Sequence, residues 1–149
     1  MSDDTASDNT DSDDIADIGI DGTVAVVTGG AGGIGKGIVG ALLRAGSSVV
    51  IADIEADTIA ATVEEFSSRG PVSGVRTDIT DEASVKALAD QVYEQHGKVN
   101  LLYNNAGVTS GGGGKPWQQE PNDWRWCFGV NVFGTAICTS EFVPRMLEG

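Results

Sequence analysis

The chain has 149 residues, 40% of them hydrophobic, which is enough for one folded domain and short for two. Its net charge is −13, and no cluster of Lys or Arg offers a surface for nucleic acid or for an anionic membrane. No apolar run reaches the length of a membrane span and the first residues are not those of a signal peptide, so a cytoplasmic location is expected. Cys127 and Cys138 do not have the spacing of metal ligands, and no metal site is predicted.

The negative charge is concentrated at the start of the chain. Residues 1–22 contain eight aspartates and no Lys or Arg, which leaves the remainder with a net charge of −5. A segment rich in Asp, Ser and Thr buries too little apolar surface to fold. We therefore expect a disordered acidic tail over residues 1–20 and one folded domain over residues 21–149.

Strands and amphipathic helices alternate in the first half of this domain. The continuous apolar run 23–28 predicts a strand covered on both faces, and apolar residues at helical spacing predict a helix over 34–45. A second strand at 47–52, a second helix around 59–66 and a third strand at 72–76 follow.

The alternation continues to the end of the chain. Thr80 is predicted to cap a helix that ends at Gly97, and a fourth strand is predicted at 99–104. Pro121 begins a last helix, with a bend expected at Pro144. Strands joined by helices need a parallel sheet with right-handed crossovers. The pattern predicts an α/β fold, a Rossmann-type doubly wound parallel sheet that is incomplete, with about four strands and four helices.

The glycine-rich stretch "TGGAGGIG" occupies residues 28–35, between the first strand and the first helix. Unpaired N–H groups and the positive end of the helix dipole meet there, which favours a phosphate. Two registers fit the stretch. G-x-G-x-x-G uses Gly30, Gly32 and Gly35, and T-G-x-x-x-G-x-G uses Thr28, Gly29, Gly33 and Gly35.

Asp53 ends the second strand, 23 residues after Gly30. A carboxylate about 20 residues after the glycine loop is typical of proteins that bind the ribose hydroxyls of a dinucleotide; the alternative is a surface aspartate that caps the next helix. The carboxylate would repel a 2′-phosphate, and no Arg or Lys follows it within several residues. The sequence thus predicts NAD in preference to NADP, with Lys36 the one nearby cation that could weaken the preference.

Three further motifs follow in order. They are "DI" at Asp78 and Ile79, "NNAG" at residues 104–107, and Asn131 within "VNVFG". Together with the glycine loop and Asp53, they resemble the classical short-chain dehydrogenases/reductases over about residues 21–149.

The resemblance implies a role for each residue. Asp78 would bond the adenine amino group, and Ile79 would border the ring. Asn131 would be the active-site asparagine at a break in a helix, its freed carbonyl holding a water of a proton relay. The remaining cofactor contacts would come from Thr28, Gly29, Gly33, Ile34, Gly35 and Asp53, and, beside the nicotinamide ribose, from Asn105, Ala106 and Gly107. From the residues alone, Asn105 could equally form a strand-ending turn, and Asn131 could be an ordinary helix residue.

Members of this family transfer a hydride between the nicotinamide and a carbonyl or secondary alcohol. A Tyr serves as acid and base, a Lys four residues later lowers its pKa, and a Ser polarises the substrate oxygen. This sequence has no Tyr-x-x-x-Lys, since Gly97 follows Tyr93 at that spacing and Gly107 follows Tyr103. In the family the Ser, Tyr and Lys follow the equivalent of Asn131.

These features lead us to expect a fragment or truncated form of an NAD-dependent oxidoreductase that acts on a small carbonyl or alcohol substrate. A homo-oligomer is expected only of a full-length chain. The alternatives are a non-catalytic module that binds NAD, and a protein whose acidic tail mediates an interaction.

Overall fold

The computed structural model describes residues 19–109 and 114–148. The expected acidic tail lies almost entirely in residues 1–18, outside the described residues. Ile20 belongs to the folded domain, because it is half-buried against the core and its carbonyl accepts hydrogen bonds from the Thr23 N–H (3.2 Å), the Thr23 hydroxyl (2.7 Å) and the Ser47 hydroxyl (3.0 Å).

Four strands form one parallel sheet. They are β1 (Val24–Thr28), β2 (Ser48–Asp53), β3 (Val72–Arg76) and β4 (Leu101–Tyr103). Their order across the sheet is β3-β2-β1-β4, and every neighbouring pair is parallel. All four carboxyl ends therefore meet at one edge of the sheet.

Helices connect and follow these strands. They are α1 (Gly33–Arg44), α2 (Ala56–Phe66), α3 (Glu82–His96), a 3-10 turn (Pro116–Gln118), α4 (Pro121–Phe128), a π-helical segment (Gly129–Gly134) and α5 (Thr135–Glu148). The single last helix that the sequence predicts is thus three consecutive pieces, two α-helices with a π-helical segment between them.

The sheet is covered on both faces. Successive residues of β1 point to opposite sides, so Ala25 and Val27 pack with α1 and α2, whereas Val24 and Val26 pack with α3 and α5. Phe142 of α5 is fully buried on the second face, a burial that stabilises the fold by about 1.5–3 kcal/mol. Helices on both faces of a parallel sheet confirm the predicted doubly wound α/β fold.

One local prediction was wrong. The N-cap of α3 is Asp81, whose carboxylate accepts a hydrogen bond from the Ala83 N–H, and not Thr80. Thr80 is engaged elsewhere, since both its N–H and its hydroxyl donate to Asp78. The irregularity in the last helix lies at the π-helical segment, and Pro144 lies inside α5.

Across residues 19–109 and 114–148, no helix combines the length and the apolar character needed to cross a membrane.

The two cysteines are predicted to differ in reactivity. Cys138 is fully buried, and this burial raises the pKa of its thiol to about 11, whereas Cys127 is half-buried. Because the thiolate is the reactive form, a disulfide reagent at pH 8 should modify one thiol per folded chain and two in denaturant. Rapid modification of both thiols in the folded protein would contradict the packing of α5.

Candidate functional site

A cavity of about 410 Å³ lies at the carboxyl ends of the strands; we call it the cleft. Its walls include ten of the twelve predicted site residues. These are Gly29, Gly33, Ile34, Gly35, Asp53, Asp78, Ile79, Asn105, Ala106 and Gly107. Thr28 and Asn131 do not line it. Sequence reasoning missed Ile54, Val108, Trp126 and Val130, which also line it, because their places depend on how separate elements pack together.

The conformation of the glycine loop fits one of the two predicted glycine patterns better than the other. Gly29 and Gly33 have φ of 63° and 50°, in the left-handed region that favours glycine, whereas Gly32 is extended with φ of −150°. A Cβ on Gly35 would lie 2.0 Å from the Gly29 carbonyl oxygen. The positive φ angles favour T-G-x-x-x-G-x-G, because Gly29 and Gly33 belong to that pattern alone. Gly35 belongs to both patterns and provides the close packing.

The loop leads into the N-terminus of α1, which faces the cleft. No side chain among the described residues caps this terminus, and its first turn contains no acidic residue. The N–H groups of a first helical turn have no partner within the helix. An uncapped helix start with no carboxylate beside it therefore fits a bound phosphate.

Thr28 and Asn105 hold the loop against the end of β4. The buried Thr28 hydroxyl accepts from the N–H groups of Asn105 and Ala106, both at 3.1 Å, and donates to the Tyr103 carbonyl at 3.2 Å. The Asn105 side-chain amide donates to the carbonyls of Thr28 (3.0 Å) and Gly29 (3.1 Å). Because its hydroxyl is used in these internal hydrogen bonds, Thr28 fixes the start of the glycine loop to the end of β4.

Asp53 lies at the edge of the cleft beside the glycine loop. One carboxylate oxygen accepts from the Ala31 N–H at 3.1 Å, and the other accepts from the N–H groups of Ile54 (2.8 Å) and Glu55 (3.4 Å). Glu55, not Asp53, is the N-cap residue of α2. A carboxylate has about four lone-pair sites. Three of them are used here, so Asp53 can still accept a hydrogen bond from a ribose hydroxyl.

Asp78 and Ile79 follow β3 on the same edge. Asp78 is fixed by its own turn, because its Oδ1 accepts from the Thr80 N–H (2.9 Å) and hydroxyl (2.7 Å) and its N–H donates to the Ser84 hydroxyl (3.0 Å). Ile79 is nearly buried against Gly134, where a Cβ would lie 2.6 Å from its Cδ1. The pair thus forms a rigid wall with a carboxylate next to an apolar side chain.

Asn131 lies in the π-helical segment and connects the last helix to the cleft. Its side-chain amide pairs with both backbone groups of Val108, accepting from the N–H and donating to the carbonyl, each at 2.8 Å. Its own carbonyl accepts from the Thr135 hydroxyl at 3.1 Å. Asn131 therefore holds Val108, a cleft residue, while it borders a second cavity on its other side.

This second cavity, of about 320 Å³, lies between the 3-10 turn and the last helix. Its apolar wall comes from Trp124, Phe128 and Val132, which recur every four residues and are about half exposed. Cys127 and Asn131 also border it.

The structure places Arg76 beside Asp53, which sequence reasoning missed. The two residues are paired in the register of β2 and β3, although they lie 23 positions apart. The Arg76 Nε donates to the Ile54 carbonyl at 3.2 Å. The sequence feature that could have predicted this proximity is that Asp53 and Arg76 lie at the ends of two successive predicted strands.

Neither tyrosine lies in the cleft. Tyr93 packs from α3 against the core of one face, and its partial burial raises the pKa of its hydroxyl. Tyr103 is part of β4 and packs toward the other face. Among the described residues, no group of three or more His, Cys, Asp or Glu is placed to hold a metal ion.

A doubly wound parallel sheet with a glycine loop and an aspartate at its carboxyl edge defines the class of Rossmann-type nucleotide-binding folds. Residues 23–149 match the short chain dehydrogenase family. The chain belongs to this family of oxidoreductases, which use nicotinamide cofactors.

Characterised relatives support the assignment. The chain is 40% identical over 128 residues to the 7alpha-hydroxysteroid dehydrogenase of Escherichia coli (strain K12), a match that covers 85% of this chain and 49% of the relative. The chain spans about half the length of the curated relatives it matches.

Solved structures of similar proteins agree with this family assignment. A short chain dehydrogenase/reductase from Burkholderia phymatum in complex with NAD is 45% identical with a TM-score of 0.81, over 87% of this chain and 46% of that one. A Pseudomonas aeruginosa RhlG/NADP active-site complex is 30% identical with a TM-score of 0.78, over 84% and 48%. NAD and NADP therefore both occur among the relatives.

Proposed function

We propose that residues 21–149 form the cofactor-binding portion of an NAD-dependent oxidoreductase that interconverts a carbonyl and a secondary alcohol. One observation carries the proposal: the uncapped N-terminus of α1 and the Asp53 carboxylate border the same cleft. Bound NAD would supply the hydride acceptor at its nicotinamide ring. The chain's own residues bind and orient that cofactor.

Each wall of the cleft suits one part of the dinucleotide. Backbone N–H groups at the start of α1 would hold the pyrophosphate, and Asp53 would accept the adenosine ribose hydroxyls. Asp78 and Ile79 would receive the adenine. Asn105, Ala106 and Gly107 would border the nicotinamide ribose, because they line the cleft just after β4, and β4 lies on the opposite side of β1 from β2.

We assign Asn131 the catalytic role in this chain, through its backbone carbonyl. The side chain cannot reach a substrate without breaking its two bonds to Val108. The carbonyl lies in the π-helical segment, a type of local irregularity that is frequent at functional sites. It accepts one hydrogen bond, from the Thr135 hydroxyl, and its second lone pair could accept from a water. A water held there would pass a proton to the acid–base group of the complete enzyme.

Binding of NADH to this chain tests the cofactor site directly. Titration should increase NADH fluorescence and raise the melting temperature of the chain, because a ligand that binds only the folded state stabilises it. The intact mass of the protein from its natural source, compared with 15.4 kDa, then separates two readings. A larger protein that turns over NADH with ketones supports the oxidoreductase, whereas a 15.4 kDa protein that binds NADH without turnover supports a non-catalytic module.

The preference for NAD predicts the effect of Asp53→Asn. The change removes a charge that accepts from ribose hydroxyls and repels a 2′-phosphate, so the ratio of the Kd for NADPH to the Kd for NADH should fall by about tenfold or more. Glu94→Gln removes the same charge from the exposed surface of α3 and should leave the ratio unchanged. An unaltered ratio in Asp53→Asn would refute the role of Asp53 in selectivity.

A further inference from the structure

Arg76 is held at the same edge of the sheet as Asp53. Its backbone pairs with Asp53 in the register of β2 and β3, and the Thr77 N–H donates to the Asp53 carbonyl at 2.7 Å, so the two strands stay together up to their ends. This part of the sheet lies on the side opposite to β4.

The direction of the Arg76 side chain follows from the alternation of β3. Gly74 faces Ile59 and Val63 of α2, and Arg76, two residues later, points to the same side. There its Nε donates to the Ile54 carbonyl at 3.2 Å. Since Ile54 lines the cleft, the guanidinium lies over the turn that carries Asp53 and Ile54.

The guanidinium is not neutralised within the described part of the chain. No carboxylate lies within salt-bridge distance of Arg76, and its two Nη groups bond none of the described residues. Asp53 bonds backbone N–H groups instead. Lys36, the cation that the sequence suggested, is paired with Glu65 on the surface.

We propose that Arg76 is a second residue that sets cofactor selectivity, with a preference opposite to that of Asp53. Its charge and free Nη donors suit a phosphate monoester, which a guanidinium can bind with two parallel hydrogen bonds. NADP carries such a group on the adenosine ribose and NAD does not. Arg76 thus favours NADP while Asp53 disfavours it, and the balance between them fixes how strongly the cleft prefers NAD. The inference rests on the proposed dinucleotide site.

The test compares NADH and NADPH binding in a background where both are measurable. In Asp53→Asn, adding Arg76→Gln should weaken NADPH binding by about tenfold and NADH binding by less than about threefold. Arg76→Lys keeps the charge but loses the two parallel hydrogen bonds of the guanidinium, so it should retain only part of the NADPH affinity that Arg76 provides. The advantage that Arg76 gives to NADPH should shrink as the salt concentration rises, because exposed charges are screened.

Lys98→Gln is the matched control, since it removes an exposed cation that precedes β4 at the opposite edge of the sheet. It should alter neither affinity by more than about twofold. Equal weakening of NADH and NADPH by Arg76→Gln would show that Arg76 only supports the turn, and no weakening would show that it is uninvolved; either result overturns the inference while the proposed function stands. Failure of the unmodified, folded chain to bind either dinucleotide would instead overturn the proposed function itself.

Discussion

Replacing Gly35 with alanine should nearly abolish dinucleotide binding and destabilise the fold. The new Cβ would lie 2.0 Å from the Gly29 carbonyl oxygen and 2.6 Å from the Asn105 Nδ2, so the loop must move. Such overpacking costs about 1–3 kcal/mol of unfolding free energy. Misplacing two N–H donors to a pyrophosphate should raise the Kd for NADH by about a hundredfold or more. Urea denaturation and NADH titration measure the two effects.

Gly37→Ala provides a control within the same helix. Gly37 is exposed in α1, and nothing lies within 4 Å of the position its Cβ would take. Alanine is the better helix former, so this variant should be about 0.5–1 kcal/mol more stable than the parent and should bind NADH normally. If Gly35→Ala behaved like Gly37→Ala, the close packing of the glycine loop on the start of α1 would be wrong.

Asn105→Ala should have the second largest effect. The change removes both side-chain bonds that join the end of β4 to the carbonyls of Thr28 and Gly29, and leaves these partly buried acceptors without that donor. Each lost partner costs about 1–3 kcal/mol, so the loss of two should lower the free energy of unfolding by about 2–6 kcal/mol. Because the glycine loop would also loosen, NADH binding should weaken by about tenfold.

The adjacent Asn104 gives a matched control for the same chemical change. Asn104 is exposed, and its amide makes one bond, to the Thr139 hydroxyl at 3.2 Å. Asn104→Ala should therefore alter stability by no more than about 0.5 kcal/mol. Equal destabilisation by both variants would show that the junction between Thr28 and Asn105 does not anchor the cleft.

Much of the architecture could be read from local patterns. Apolar periodicity located four strands and the helices, because a residue's burial repeats every two positions in a half-buried strand and every three to four in a helix. The boundaries within and between the helices were not all predicted. Asp81, and not Thr80, caps α3, and the Thr80 hydroxyl donates to Asp78 instead. The π-helical segment was missed because its residues show no apolar periodicity that differs from that of a helix.

In the candidate site, too, some features could be predicted from local patterns and others could not. The glycine loop and Asp53 could be recognised because each stands at a fixed place relative to its own strand. Thr28 was expected to contact the cofactor, yet its hydroxyl is occupied by groups at the end of β4, 75 to 78 positions away. No spacing in the sequence identifies that bond, since it depends on which strand lies next to β1.

The sequence by itself therefore determined the type and order of the elements, the glycine-rich loop between β1 and α1, and the acidic residue at the end of β2. Those features depend on interactions between residues close together in the chain. Only the tertiary structure decided the strand order, the register of the glycine loop, the junction between Thr28 and Asn105, and the position of Arg76 beside Asp53. The physical reason is that strand pairing joins distant residues through backbone hydrogen bonds, which every residue type can make, so the sequence carries no local mark of the partner.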